Sequence, residues 1–114
     1  MKFLAKVYEP MYDFNDKKYI RFIIPEKCSE IIQRIHASKL HMLTNPNVDE
    51  VLDGVILKVK VPFRYRRVMC KVHGRPLQSL IRDDEVEIEI EFKGFWNIGD
   101  YSGFSWVLIS SIFA

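Results

Sequence analysis

Glu85-Val-Glu-Ile-Glu-Ile-Glu-Phe92 alternates acidic and apolar side chains without exception. Successive side chains of a β-strand point to opposite faces, so this spacing puts Val86, Ile88, Ile90 and Phe92 on one buried face and four glutamates in water. On a helix the same residues would be spread around the whole circumference. The segment therefore reads as a half-buried strand of an antiparallel sheet. Working outward, Val55–Val61 repeats the pattern, with Val55, Leu57, Val59 and Val61 facing one way and Lys58 and Lys60 the other, until Pro62 breaks it. Phe63–His73 is expected as a further strand, with Val68, Cys70 and Val72 on one face and Tyr65, Arg67, Met69, Lys71 and His73 opposite. Gly74-Arg75-Pro76 turns the chain, and Leu77–Ile81 is short and ambiguous. Gly99 and Gly103 punctuate an expected loop carrying Trp96 and Tyr101, and Phe104–Phe113 forms the last strand.

In the first half, Lys2–Tyr8 alternates weakly and reads as a strand stopped by Pro10, with a turn over Met11–Asp16. Lys18–Ile24 is β-branched and aromatic, bounded by Asp16 and Pro25, and reads as a second strand. Pro25-Glu26-Lys27 opens a helix, because proline suits the first turn and glutamate the positive end of the dipole. Cys28, Ile31, Ile32, Ile35 and Leu40 continue it at helical spacing, with Lys39 and His41 near its end, and Thr44–Glu50 reads as a loop. About five to seven strands and one early helix, without βαβ alternation, predict a mainly β domain. An antiparallel sheet hides its edges best by closing, so the expectation is a small OB-like antiparallel barrel spanning residues 1–114 as a single domain. The alternative is an α+β open antiparallel sheet, since the helix lies early instead of between a third and fourth strand.

A chain of 114 residues buries roughly two-thirds of its unfolded surface, enough for a core without staples. Apolar runs such as Val107–Ile109 are far shorter than the ~20 residues of a membrane span. Lys6 and Glu9 interrupt the apolar stretch at the N-terminus, where a signal peptide would need ~7–15 unbroken apolar residues. A soluble, intracellular protein without membrane partners is expected, with Cys28 and Cys70 as reduced thiols.

The formal net charge of +2 conceals strong segregation. Lys58, Lys60, Arg64, Arg66, Arg67, Lys71 and Arg75 give seven positive charges in the 22 residues from Val55 to Pro76, without one acid. Asp83, Asp84, Glu85, Glu87, Glu89 and Glu91 follow as six negative charges in nine residues. Cations at alternate strand positions project ~6–7 Å apart, close to the phosphate repeat of an extended single strand. Tyr65, Met69 and Phe63 lie among them, and rings stack on any base. The plainer alternative is a solvated sheet face whose charges protect an edge from aggregation. Trp96 and Tyr101 in a glycine-punctuated segment are harder to bury than Phe104 or Trp106, which marks them as candidate stacking residues.

Asp84–Ile112 (DEVEIEIEFKGFWNIGDYSGFSWVLISSI) resembles the C-terminal hairpin of the OB-fold single-stranded-DNA-binding proteins of large DNA viruses and phages. These tend to show an acidic alternating strand, a Gly-aromatic-Trp turn and a Gly-aromatic-Ser-Trp entry into the last strand. Lys58–Arg67 (KVKVPFRYRR) is similar in character to their basic central strands. The resemblance covers Gly54 to Ile112 and implies a viral or phage protein coating single-stranded DNA in replication or recombination. Many such proteins end in a flexible acidic tail, whereas this chain stops at Ala114, so recruitment through a tail is not expected.

Cys70 and His73 have a C-x-x-H spacing that Cys28, His36 and His41 would have to complete as a zinc site. On a strand, however, Cys70 and His73 point to opposite faces, and structural zinc prefers ligands on turns. Asp83, Asp84 and Glu85 could hold a divalent metal as in a nuclease, but such a trio more often starts a strand at a polar turn. Neither a G-x-S-x-G elbow nor a glycine-rich phosphate loop is present. No enzyme activity, metal or cofactor is expected. The function expected is binding of single-stranded nucleic acid, DNA more than RNA, with little sequence preference. Lys58, Lys60, Arg64, Arg66, Arg67, Lys71 and Arg75 would hold phosphates, while Tyr65, Trp96 and Tyr101 would stack on bases. The alternative is a protein-interaction or structural subunit in which the basic stretch 55–76 of one copy meets the acidic strand 83–91 of the next; a homodimer or higher homo-oligomer is compatible with either reading.

Overall fold

A computed structural model describes residues 1–113. Ten strands follow in chain order: β1 (Lys2–Phe14), β2 (Lys17–Ile23), β3 (Asn47–Asp49), β4 (Leu52–Asp53), β5 (Ile56–Val61), β6 (Phe63–Arg64), β7 (Arg67–Val68), β8 (Lys71–Gly74), β9 (Glu85–Ile98) and β10 (Tyr101–Phe113). A single α-helix, α1 (Glu26–Lys39), lies between β2 and β3 and runs into a 3₁₀ turn over Leu40–Met42. Five of these strands close on themselves in the order β1-β2-β5-β10-β9-β1. Counted within the barrel this is 1-2-3-5-4-1, with the β5–β10 contact parallel and the other four antiparallel. The domain is thus a mainly β, OB-like barrel with one helix, and the open-sheet alternative is excluded by the β5–β10 closure.

The closure is narrow, a single pairing of Lys60 with Val107. On either side of it, β3 covers the start of β10 and β8 covers its end, both in parallel, so little of that edge is left bare. The core is what the alternation requires. Ile20 and Phe22 on β2, Leu57, Val59 and Val61 on β5, Val86, Ile88 and Ile90 on β9, and Phe104, Trp106 and Leu108 on β10 are buried together. Leu77 and Leu80, around a 3₁₀ turn over Leu77–Ser79, join the same core between β8 and β9. Ser29 ties the helix to the sheet, its hydroxyl donating to the carbonyl of Gly54 at 2.6 Å.

Five sequence expectations need correction. Pro10 does not stop the first strand, because register shifts between Val7 and Glu9 and between Glu9 and Tyr12 place it in irregular pairing, where a missing N–H is tolerated. Within Thr44–Glu50, Asn47–Asp49 pairs with β10. Phe63–His73 is not one strand: Tyr65 and Arg66 adopt φ of 53° and 62° and fold it into the β6–β7 hairpin, before β8 starts at Lys71. Trp96 and Tyr101 lie on paired strands and not in a loop, since β9 and β10 are joined by the two-residue turn Gly99-Asp100. The turn expected over Met11–Asp16 shrinks to the two residues Asn15-Asp16, with φ of 51° and 62° that both tolerate, because Met11–Phe14 continues β1.

Besides the Ser29 bond, the helix meets the sheet at a polar contact inside an aromatic cluster. His36 stacks on Phe104 at 4.4 Å, and the Trp106 Nε1–H donates to His36 Nε2 at 2.9 Å. As acceptor, Nε2 must be unprotonated, and burial lowers the His36 pKa from its ordinary value of 6.5. The unfolded chain therefore binds a proton that the folded chain resists, and stability is lost as pH falls from 6.5 through the lowered value. Urea unfolding at about pH 7.5 and about pH 5.5 should show this loss, and His36→Gln, whose amide oxygen accepts the same proton without titrating, should show less of it.

Candidate nucleic-acid interface

Because Ile20, Phe22, Leu57 and Val59 point inward, their neighbours Tyr19 and Arg21 on β2 and Lys58 and Lys60 on β5 share the outer face of the barrel. The register sets Tyr19 opposite Lys60 and Arg21 opposite Lys58, and on the far side Tyr12 opposite Tyr19 and Glu9 opposite Arg21. Rings and cations interleave across this face. The Lys58 ammonium lies 5.0 Å from the Tyr19 ring centre, which is 5.9 Å from that of Tyr12. Tyr8 is flanked by the guanidinium groups of Arg21 at 5.1 Å and Arg82 at 4.8 Å. Burial raises the pKa of both Tyr12 and Tyr19, Glu9 adding to it for the first and Asp49 for the second, so both phenols are neutral.

Lys60 lies at the centre. Burial, then the nearby Lys17 charge, lowers its pKa, and among the described residues it has no ion-pair partner. An anion beside it would relieve both effects. With Pro62, Phe63, Arg64, Met69 and Val107 it lines a cleft of about 390 Å³ leading onto the β6–β7 hairpin. That hairpin carries Arg64, Tyr65, Arg66 and Arg67 at its tip, with Tyr65 83% exposed. A tyrosine and an arginine in the left-handed region cost on the order of 1–2 kcal/mol each, and such strain gathers at functional positions. Tyr65→Asn with Arg66→Gly supplies the residues this turn favours. The double variant should be more stable by about 1 kcal/mol in urea unfolding, while losing affinity for any ligand that uses the ring and guanidinium.

The remaining expected residues are placed as follows. Lys58 is neutralised by Asp49 at 2.8 Å. Lys71 pairs with Ser110 along the end of β10, exposed and without an ion pair among the described residues. Arg75 stacks on Phe113 at 4.8 Å. Trp96 is half-buried and its indole covers Gly103, where an added Cβ would meet it at 2.7 Å. Tyr101 is 55% exposed beside Asn47. Gly103 pairs with both Trp96 and Asp49, and Asp49 holds Lys58, so the β9–β10 hairpin reaches the basic face through β3. Trp106, by contrast, is core.

β10 also separates the charges. Val107 and Ser110 lie beside Lys60 and Lys71 on one side and beside Glu91 and Glu89 on the other. The acidic strand faces away over β1, where Lys2 pairs with Glu87 at 3.5 Å, and Lys93 pairs with Glu91 at 3.1 Å. The sequence reading missed Tyr8, Tyr12, Lys17, Tyr19 and Arg21. Extending the inside–outside alternation of Lys2–Tyr8 and Lys17–Ile23 would have found Tyr8, Tyr19 and Arg21, whereas Tyr12 was hidden by reading Pro10 as an end.

Cys28 and Cys70 are free thiols, half-buried against the core, and burial raises the pKa of each. Among the described residues, no three His, Cys, Asp or Glu side chains gather as a metal site. No helix among the described residues is long and apolar enough to cross a membrane. No family model, curated protein or solved structure matches the chain.

Proposed function

We propose that the protein binds single-stranded nucleic acid, DNA in preference to RNA, across the outer face of β2 and β5 and the tip of the β6–β7 hairpin. The observation that carries this reading is the gathering of unpaired cations and accessible rings on one side of β10, with the glutamates of β9 on its other side. The strand 2–3 face is also where OB-type barrels place oligonucleotides. Phosphates fall to Lys60, Arg64, Arg66, Arg67 and Lys71, which among the described residues are the five cations of the basic stretch held by neither a carboxylate nor a ring. Lys58 and Arg75 play a lesser part. Tyr65, Tyr19 and Tyr12 supply stacking, with Trp96 and Tyr101 extending the path at the β9–β10 hairpin. The role that follows is a non-catalytic accessory in replication or recombination inside the cell or at viral replication sites, as the resemblance of the second half implies.

Fluorescence titration with oligo-dT, its RNA counterpart and a duplex at two salt concentrations tests the reading. Five phosphate contacts predict a logarithmic salt slope of about −3.5, or on the order of a hundredfold weaker binding between roughly 50 and 200 mM salt. A salt-insensitive affinity, or tighter binding of duplex, would contradict it. Mass in solution that rises at low salt without nucleic acid, and does not respond to oligonucleotide, would instead favour assembly through the basic and acidic faces.

A further inference from the structure

At the tip of the β1–β2 hairpin, Asp13, Phe14, Asn15, Asp16, Lys18 and Phe63 line an open cleft of about 480 Å³ at the end of the basic face. Its volume lies within the range of small-ligand sites, about 300–1,000 Å³. Two rings in it are open to solvent, Phe14 at 59% and Phe63 at 38% exposure, although apolar side chains of this size ordinarily find a core. The Lys18 ammonium sits 4.6 Å from the centre of the Phe63 ring and is ion-paired with Asp13. Among the described residues, Asp16 has no ion-pair partner. The cleft thus offers apolar faces for a flat ring and, around them, the Lys18 ammonium as donor, the Asn15 amide as donor and acceptor, and two carboxylate acceptors.

We propose that this cleft takes a single unpaired guanine base, an inference that rests on the nucleic-acid reading above. An extruded base is read by stacking between rings and by hydrogen bonds to its Watson–Crick edge. An ionised carboxylate can only accept, so a cleft with more acceptors than donors selects the base with the most donors. Guanine presents N1–H and the N2 amino group side by side, a fork that one carboxylate accepts in parallel. The adjacent O6 accepts from Lys18, which already lies beside Asp13. Thymine offers one N–H between two carbonyl oxygens, which a carboxylate repels. Carboxylates next to a phosphate path weaken non-specific binding, so their presence here follows if they read a base.

The test uses dT tracts of equal length, one all dT, one with a central dG, and one with deoxyinosine in place of that dG. The dG tract should bind about tenfold more tightly than all-dT, and inosine, which lacks the N2 amino group, should forfeit most of that gain. In an Asp13→Asn/Asp16→Asn variant the preference should vanish while the all-dT affinity holds or rises. Asparagine tolerates the left-handed turn position, and Phe14→Ala, which removes an exposed ring, should lose the preference by a second route. Equal binding of dG and dT tracts, or a variant that tightens all three tracts alike because the carboxylates only repel phosphate, would overturn the guanine site alone. Binding of none of the tracts would overturn the nucleic-acid reading with it.

Discussion

Replacing Lys60, Arg64, Arg66 and Arg67 together by alanine should weaken binding of a single-stranded oligonucleotide by about a hundredfold at roughly 200 mM salt. The magnitude follows from counterion release. Each phosphate contact on a single strand contributes about 0.7 to the logarithmic salt slope, and the electrostatic gain fades near 1 M salt. Four lost contacts remove about 2.8 from the slope, and about two decades of affinity at that concentration. All four side chains are outside the core, and three of them are exposed, so the barrel should remain folded. Titration across salt, with circular dichroism as the control for folding, measures both quantities. A variant that keeps the parent slope would show that the phosphates lie elsewhere, and the β2–β5 face would have to be abandoned as the path.

Trp106→Ala should lower the stability of the fold by about 3–5 kcal/mol, the usual range for a buried tryptophan. Its side chain is 3% exposed and lies 5.1 Å, centre to centre, from Phe92, in the cluster where helix meets sheet. Against a total stability of roughly 5–15 kcal/mol, the loss approaches unfolding for a domain at the lower end. Trp106→Phe separates the two contributions, since it retains most of the packing and removes only the N–H given to His36, for about 0.5–1.5 kcal/mol. Urea denaturation midpoints, with slopes compared between variants, give both numbers. A loss below about 1 kcal/mol for the alanine variant would mean that the helix is not anchored at this contact.

The charge boundary and the interface depend on different ranges of information. Glu85–Phe92 could be read as a half-buried strand because its pattern is complete within eight residues. The opposite faces of Lys58 and Lys60 and of Leu57 and Val59 followed in the same way, as did the helix from its proline start and apolar spacing. The β6–β7 hairpin was hidden because Tyr65-Arg66 lacks the asparagine or glycine that marks such turns, the strained backbone being supported by pairing on both sides.

Alternation along the chain thus determined which side chains of each main strand are dry, that the sheet had to hide its edges, and that positive and negative charge occupy separate stretches. It could not say which outer faces adjoin, because that depends on hydrogen-bonded register between segments far apart in the chain. Tyr12, Tyr19 and Lys60 meet through two such pairings, and Trp106 finds His36 across 70 positions. Closure through Lys60 and Val107 put the basic face on one side of β10 and the glutamates on the other. A period of two is enforced residue by residue, whereas pairing is selected by the packing of the whole core.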